Sequence, residues 1–243
     1  MEQALYTIEY NRPLSQDVFE LGVEGSSPAA SAPGQFAEIL LPGAFLRRPF
    51  SVCSQRGNKL GFVYAVKGTG TELLSALRPG TGLDILAPLG SGFNTAAAGE
   101  HPLLIAGGLG FTPLYRLAQV LTAEGITPTV LLGFKTASTV VYEDPFRDIG
   151  ADTVVVTEDG SKGERGLVTD VLNRLEYSYV YSCGPLPMLR AVGEAALTEC
   201  EFSLEARMGC GFGACMGCSI QTAGGMKRVC KDGPVFKRSE LIW

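Results

Sequence analysis

Four cysteines near the end of the chain, Cys210, Cys215, Cys218 and Cys230, follow the spacing C-x4-C-x2-C-x11-C. With that spacing a tight loop can wrap a [2Fe-2S] cluster while a fourth thiolate arrives from further along. Gly209, Gly211, Gly213 and Gly217 let the backbone bend around an inorganic core and aim N–H groups at its sulfurs. Arg207, Lys227, Arg228, Lys231, Lys237 and Arg238 stand against only Asp232 and Glu240, an excess that offsets an anionic four-thiolate centre. Two other readings stay open. Zinc favours paired C-x2-C knuckles, which this spacing lacks, and a redox-active set of thiols needs no metal at all.

Other motifs suit phosphates and a redox ring system. Arg48-Pro49-Phe50-Ser51 enters a strand, where the Arg can pair with a pyrophosphate and the Ser hydroxyl can bond a flavin near its reactive nitrogen. Gly68-Thr69-Gly70-Thr71 follows a strand and opens a helix, which aims backbone N–H groups at a phosphate. Strand 103–106 runs into Gly107-Gly108-Leu109-Gly110-Phe111-Thr112-Pro113, and strand 179–182 into Cys183-Gly184-Pro185, each ahead of a helix. The first lacks the full G-x-G-x-x-G spacing, but it permits the same close backbone approach. Ligands of open α/β sheets collect at the carboxyl ends of strands, so both motifs belong on one rim.

Composition narrows the chemistry further. Among 243 residues there are seven cysteines and one histidine, His101, so a Ser-His-Asp triad is not expected and a His-rich metal site cannot be built. His101 reads as a surface residue, and Cys53 and Cys200 as small buried hydrophobes. A net charge of −5 argues against tracking nucleic-acid phosphates. No signal peptide is expected, because Met1-Glu2-Gln3-Ala4-Leu5 has no basic region followed by an apolar run, and no membrane span, because the apolar stretch 103–121 is broken by glycines, Pro113 and Arg116. The expected setting is the cytoplasm, where clustered thiols bind metal or do redox work.

The elements that must position these groups fall into three rhythms. Short β-rich runs at 5–10, 18–23, 35–41, 50–54, 59–66 and 83–86, with one helix over 71–77, predict an antiparallel barrel or sandwich. A Gly/Ala-rich junction over 90–102 follows. Strands at 103–106, 129–133, 153–157 and 179–183 then alternate with helices at 113–123, 166–175 and 187–197, which predicts a parallel sheet with crossover helices. From Glu205 onward the chain is Gly/Cys-rich, with little periodicity.

Arg48-Pro49-Phe50-Ser51, Gly70-Thr71, Gly107-Gly108-Leu109-Gly110 and Cys183-Gly184-Pro185, in that order, resemble the ferredoxin-NADP reductase superfamily. With Glu205 to Cys210 and Cys230-Lys231-Asp232-Gly233-Pro234-Val235-Phe236 added, the resemblance narrows to the electron-transfer subunits of NAD-dependent dihydroorotate dehydrogenase. It implies a multi-domain chain: an antiparallel β-barrel FAD domain over 1–97, an α/β parallel-sheet NAD domain over 98–204, and a small [2Fe-2S] domain over 205–243. FAD contacts carry over to Arg48, Pro49, Phe50, Ser51, Val63, Tyr64, Ala65, Gly70 and Thr71. NAD contacts fall on Gly107, Gly108, Gly110, Thr112, Pro113, Cys183, Gly184 and Pro185, and the cluster ligands on Cys210, Cys215, Cys218 and Cys230. Phe50 stands where the family often has an aliphatic residue.

The implied partner is an FMN-containing catalytic subunit, two copies of each chain forming a heterotetramer in pyrimidine biosynthesis. Dihydroorotate is oxidised on that partner, electrons reach NAD+ through the cluster and FAD, and this chain supplies no catalytic acid or base. A stand-alone NAD(P)H-dependent flavin and iron–sulfur reductase serving another redox partner is the alternative. A zinc-stabilised binding module is a third reading.

Overall fold

The computed structural model describes residues 1–25 and 31–243. The first part of the chain places strands β1 (Glu2–Pro13), β2 (Val18–Gly25), β3 (Phe36–Leu40), β4 (Arg48–Ser51), β5 (Ser54–Arg56), β6 (Lys59–Ala65) and β7 (Gly82–Leu89) in one sheet, ordered β4-β3-β7-β1-β2-β6-β5. All its pairings are antiparallel. In β7 the alternation is plain: Leu83, Ile85, Ala87 and Leu89 face inward while the residues between them are wetter. The sheet curls until β4 approaches β6, with the Phe50 ring edge-on to Tyr64 at 5.8 Å. The barrel expected from the strand rhythm is therefore a half-barrel.

The strand expected over 50–54 is broken in two, for a reason visible in its hydrogen bonds. Val52 N donates to Gln35 O at 3.1 Å, on the β3 side, whereas Cys53 N donates to Gly61 O at 2.8 Å, on the β6 side. The chain changes partners at that point. Helix α1 (Thr69–Ala76) seals one end of the half-barrel with Leu74, which is fully buried. The Asn11 amide donates to Leu74 O at 2.8 Å and its oxygen accepts from Tyr64 Oη at 2.9 Å, so α1 is tied to β1 and β6 together.

The second sheet is built from β8 (Pro102–Gly107), β9 (Thr129–Phe134), β10 (Asp152–Thr157), β11 (Glu164–Arg165), β12 (Tyr179–Cys183) and β13 (Cys200–Ser203), all parallel. Its helices are α2 (Phe111–Ala123), α3 (Glu143–Asp148), α4 (Val168–Leu172) and α5 (Leu186–Ala195). Strands buried on both faces need apolar residues throughout, and β8 meets that demand. Leu104 and Ala106 pack toward Leu114, Leu117 and Leu121 of α2, while Leu103 and Ile105 pack toward Leu189 and Val192 of α5. The helix expected over 166–175 is confined to α4: Gly166 sits at φ +123°, and Leu167 N is capped by Asp170 Oδ2 at 2.8 Å.

The Cys-rich region contributes a hairpin, β14 (Ser219–Thr222) with β15 (Gly225–Arg228), and then β16 (Val235–Lys237). β16 returns to pair antiparallel with β13, so the sheet order is β11-β10-β9-β8-β12-β13-β16. Leu204 N donates to Pro234 O at 2.9 Å, which brings the two ends of the cysteine segment side by side. The half-barrel and the parallel sheet are joined by a polar contact in which Tyr142 Oη donates to Glu20 Oε1 at 2.9 Å. Among the described residues no helix is long and apolar enough to cross a membrane.

Candidate functional site

A cleft of about 250 Å³ opens where the three regions meet. One wall is Pro49, Phe50 and Ser51 of β4 with Val63, Tyr64 and Ala65 of β6. The opposite wall is Leu109, Thr112 and Cys183 from the ends of β8 and β12, and the floor runs through Ser203 to Met208 with Pro234. The apolar rings come from alternation on β4 and β6, and Phe50, Phe62 and Tyr64 form an edge-to-face cluster behind the wall. A flat, half-apolar ring system fits such a wall.

Arg48 lies outside this cleft, over the start of α1. A Cβ built on Gly70 would lie 3.0 Å from Arg48 Nε, so only glycine lets the guanidinium settle there at full closeness. The loop below is held by Thr71, whose Oγ1 accepts from Lys67 N at 2.9 Å and Gly68 N at 3.3 Å and donates to Gly68 O at 3.0 Å. Arg48 also donates to Leu46 O at 2.7 Å, which fixes its orientation. A guanidinium beside a helix N-terminus and a glycine cradle has the chemistry of a diphosphate site. Arg48, Gly70 and Thr71 are thus brought together, at one end of the wall formed by Pro49 to Ser51.

The two Gly-containing loops of the second sheet meet as expected. The register sets Cys183 beside Ala106. A Cβ on Gly107 would strike Met188 Sδ at 2.6 Å and Pro185 Cδ at 2.8 Å, and one on Gly184 would lie 2.9 Å from Gly107 N. The loops are therefore packed backbone to backbone, and Gly108 (φ +54°) remains open, with nothing near its Cβ direction. Of the eight residues expected to contact the nicotinamide nucleotide, Thr112 and Cys183 line the cleft, while Pro113 is buried in the first turn of α2. Burial, with Glu205 nearby, pushes the Cys183 thiol up to about 12. It is a neutral wall, not a nucleophile.

The four tail cysteines form two pairs. Ala214 N and Cys215 N point at Cys210 Sγ at 3.2 and 3.4 Å, and Cys230 N points at Cys218 Sγ at 3.4 Å. Cys218 and Cys230 are buried against the second sheet's core, whereas Cys215 is exposed and Cys210 partly so. Desolvation opposes a Cys210 thiolate, but N–H groups of Cys215, Phe212 and Ala214 outweigh it and lower the thiol to about 6. Arg228 clamps the loop by donating to Gly213 O at 3.1 Å and to Asp232 Oδ2 at 3.1 Å. No group of three or more His, Cys, Asp or Glu side chains converges on one metal point among the described residues. Two thiol pairs with amides aimed at sulfur fit a binuclear cluster better than a single tetrahedral ion.

Residues 205–242 match the family model of the iron-sulfur cluster binding domain of dihydroorotate dehydrogenase B. The chain is 40% identical over 258 aligned positions to the dihydroorotate dehydrogenase B (NAD(+)) electron transfer subunit of Geobacillus sp. (strain WCH70), covering 100% of this chain and 99% of that one. The chain belongs to the dihydroorotate dehydrogenase B electron transfer subunits. The subunit from Bacillus caldolyticus is also 40% identical, with 97% of each chain covered. The solved structure of an NADH-dependent reduced ferredoxin-NADP oxidoreductase superposes with a TM-score of 0.88 at 29% identity, covering 99% of this chain and 90% of that one. The ferredoxin reductase of carbazole 1,9a-dioxygenase, at 20% identity and a TM-score of 0.70, covers 79% of this chain and 64% of its own and shares the fold. The family and the ferredoxin-reductase-like fold read from the motifs are both borne out.

Some residues of this family member's cleft carry no motif in the sequence. Phe36 reaches it from β3 and Lys67 from the turn after β6, while Ser203 and Leu204 reach it from the end of β13, where that strand pairs with β16. A second absentee had a visible signal: Glu38 is a lone acid in the apolar run Phe36-Ala37-Glu38-Ile39-Leu40, and it is fully buried.

Proposed function

We propose that this chain carries electrons between a dihydroorotate-oxidising catalytic subunit and NAD+, holding FAD in the cleft and a [2Fe-2S] cluster on Cys210, Cys215, Cys218 and Cys230. The partner in this reading bears FMN, and two copies of each subunit form the assembly. The domain limits proposed are 1–97, 98–204 and 205–243. The observation that carries the reading is the single cleft shared by β4, β6, the β8 and β12 rims and the segment leading to the cysteines. When bound, FAD exchanges one or two electrons, the cluster one, and the nicotinamide a hydride, so the three together can link a flavin oxidation to NAD+.

The residues of this chain have separable tasks. Arg48 and the α1 N-terminus, with Gly70 and Thr71, hold the diphosphate of FAD. Pro49, Phe50, Val63, Tyr64 and Ala65 form the wall that excludes water from its ring, and Ser51 offers a hydroxyl to it. Gly107, Gly108, Gly110, Thr112, Pro113, Gly184 and Pro185 admit the nicotinamide nucleotide along the sheet rim. Cys183, kept neutral by burial, closes that side. His101 is exposed at the far, amino-terminal end of β8, so no acid–base work on dihydroorotate is assigned to it. None of the seven cysteines is paired in a disulfide, as a cytoplasmic setting favours.

The test is reconstitution. The purified chain should show flavin and iron–sulfur absorbance and reduce dyes with NADH. Adding the FMN-bearing subunit should produce NAD+-linked formation of orotate. A well-formed complex without that activity, from a chain that still reduces dyes, would favour the stand-alone reductase.

A further inference from the structure

Glu38 occupies an unusual place. It lies on β3 directly across from Pro49, so its strand is bonded to the flavin-motif strand. Its neighbours Ala37 and Ile39 point into the half-barrel core, and Glu38 points to the other face. There it meets the cysteine loop: a Cβ on Gly211 would lie 2.4 Å from Glu38 Cγ and 2.5 Å from its Oε1. Gly211, at φ +77°, immediately follows Cys210. The Glu38 side chain is 0% exposed, and neither carboxylate oxygen has a hydrogen-bond partner.

A buried, unbonded carboxyl group is costly, and a well-packed apolar residue would fill the same space at less expense. The nearby cations do not neutralise it directly. Arg47 donates to the backbone oxygen of Glu38 at 3.4 Å and pairs its side chain with Asp84 at 3.0 Å, while Arg48 turns toward Gly70. The carboxyl group stands between the flavin strand and the cysteine loop, in a dry region where its charge is weakly screened.

We propose that Glu38 is a potential-setting residue for the cluster: its buried charge, pressed against the Cys210–Gly211 loop, holds the cluster's reduction potential down. The inference rests on the cluster reading of the four cysteines. An added electron on an anionic centre is disfavoured by a neighbouring anion, so the reduced cluster gives its electron up more readily. Gly211 is then required for a second reason, since any side chain there would push the carboxyl group off the loop.

The experiment is a redox titration of the full chain with its cofactors, followed by the electron paramagnetic resonance of the reduced cluster. One pH, 8.5, is used throughout so that proton uptake does not enter. Glu38→Gln keeps the shape and removes the charge. It should raise the midpoint enough to change the reduced-to-oxidised ratio about tenfold at fixed poise, about 59 mV for a one-electron couple. Glu38→Asp, which keeps the charge, should stay near the wild-type value, and the FAD midpoint should move less than that of the cluster.

An unchanged midpoint in Glu38→Gln, an equal shift in both variants, or a Glu38→Gln chain that cannot assemble the cluster would overturn the role of Glu38. A wild-type chain without a [2Fe-2S] signal would instead overturn the cluster reading and this inference with it.

Discussion

Gly110 is pressed against the backbone of Cys183, and a Cβ at that position would lie 2.0 Å from the Cys183 carbonyl oxygen. The contact joins the loop after β8 to the loop after β12. It makes the nucleotide rim one unit, because neither loop can shift without the other.

Gly110→Ala should therefore do more than crowd one site. Backbone cannot yield as a flexible side chain can, and overpacking of this kind costs about 1–3 kcal/mol. The expected result is a lower melting temperature and a raised KM for NADH in dye reduction, with FAD still bound. A variant with wild-type KM and melting temperature would contradict the packing described.

Arg48→Ala removes the guanidinium over the α1 N-terminus. A charge-assisted hydrogen bond contributes about 1.5–3 kcal/mol, which corresponds to roughly 10- to 100-fold in affinity. Fluorescence titration of the deflavinated chain should show FAD binding weakened by that factor. Unaltered affinity would move the diphosphate elsewhere.

Cys215→Ser should lose the cluster and retain FAD, since Cys215 is exposed on the loop and lies outside the residues lining the flavin cleft. Iron and flavin contents of the purified variant, taken with visible absorbance, give the answer. Cys200→Ala is the control: Cys200 is wholly buried at the start of β13 in the second sheet and should not affect iron content. Normal iron in Cys215→Ser would remove that residue from the ligand set.

Stability should carry a mark of Glu38. Burial, opposed in part by Arg47, raises its carboxyl group from the ordinary value of 4.5 to about 7. A group raised on folding contributes its stability in full below its unfolded value and loses it as pH rises through the folded value. The wild-type chain should thus lose about 1–3 kcal/mol between pH 5 and 8 that Glu38→Gln does not lose. Thermal melts of both at the two pH values test it, and a difference independent of pH would show the carboxyl group to be solvated.

How much of this was legible in the sequence depended on the length and regularity of each element. The strands β1, β2, β6, β7, β8, β9, β10 and β12 are long or continuously apolar, and their patterns announce them. The Gly loops announce themselves because close approach demands glycine, as Gly107 against Pro185 shows. What stayed hidden is short or depends on a distant partner. β16 is three residues, Val235–Lys237, and becomes a strand only because Phe202 and Phe236 lie side by side in its ladder with β13. The helix α3 is six residues long and begins after Tyr142, whose left-handed backbone (φ 69°) is sustained by its ring stacking on Phe111 at 4.7 Å. No local pattern encodes that contact.

The bond from Leu204 to Pro234 means that the cysteine module leaves and re-enters the molecule through one doorway. It is a cassette rather than a tail. Cutting the chain at Glu205 would strip β16 from the sheet edge and uncover Phe202, so truncation should yield an insoluble product. Excising residues 209–233 and bridging the stumps with a short turn would leave that edge and the cleft floor at Glu205, Ala206 and Met208 in place, and with them a flavin reductase without its cluster. The same doorway could accept a different redox module by grafting.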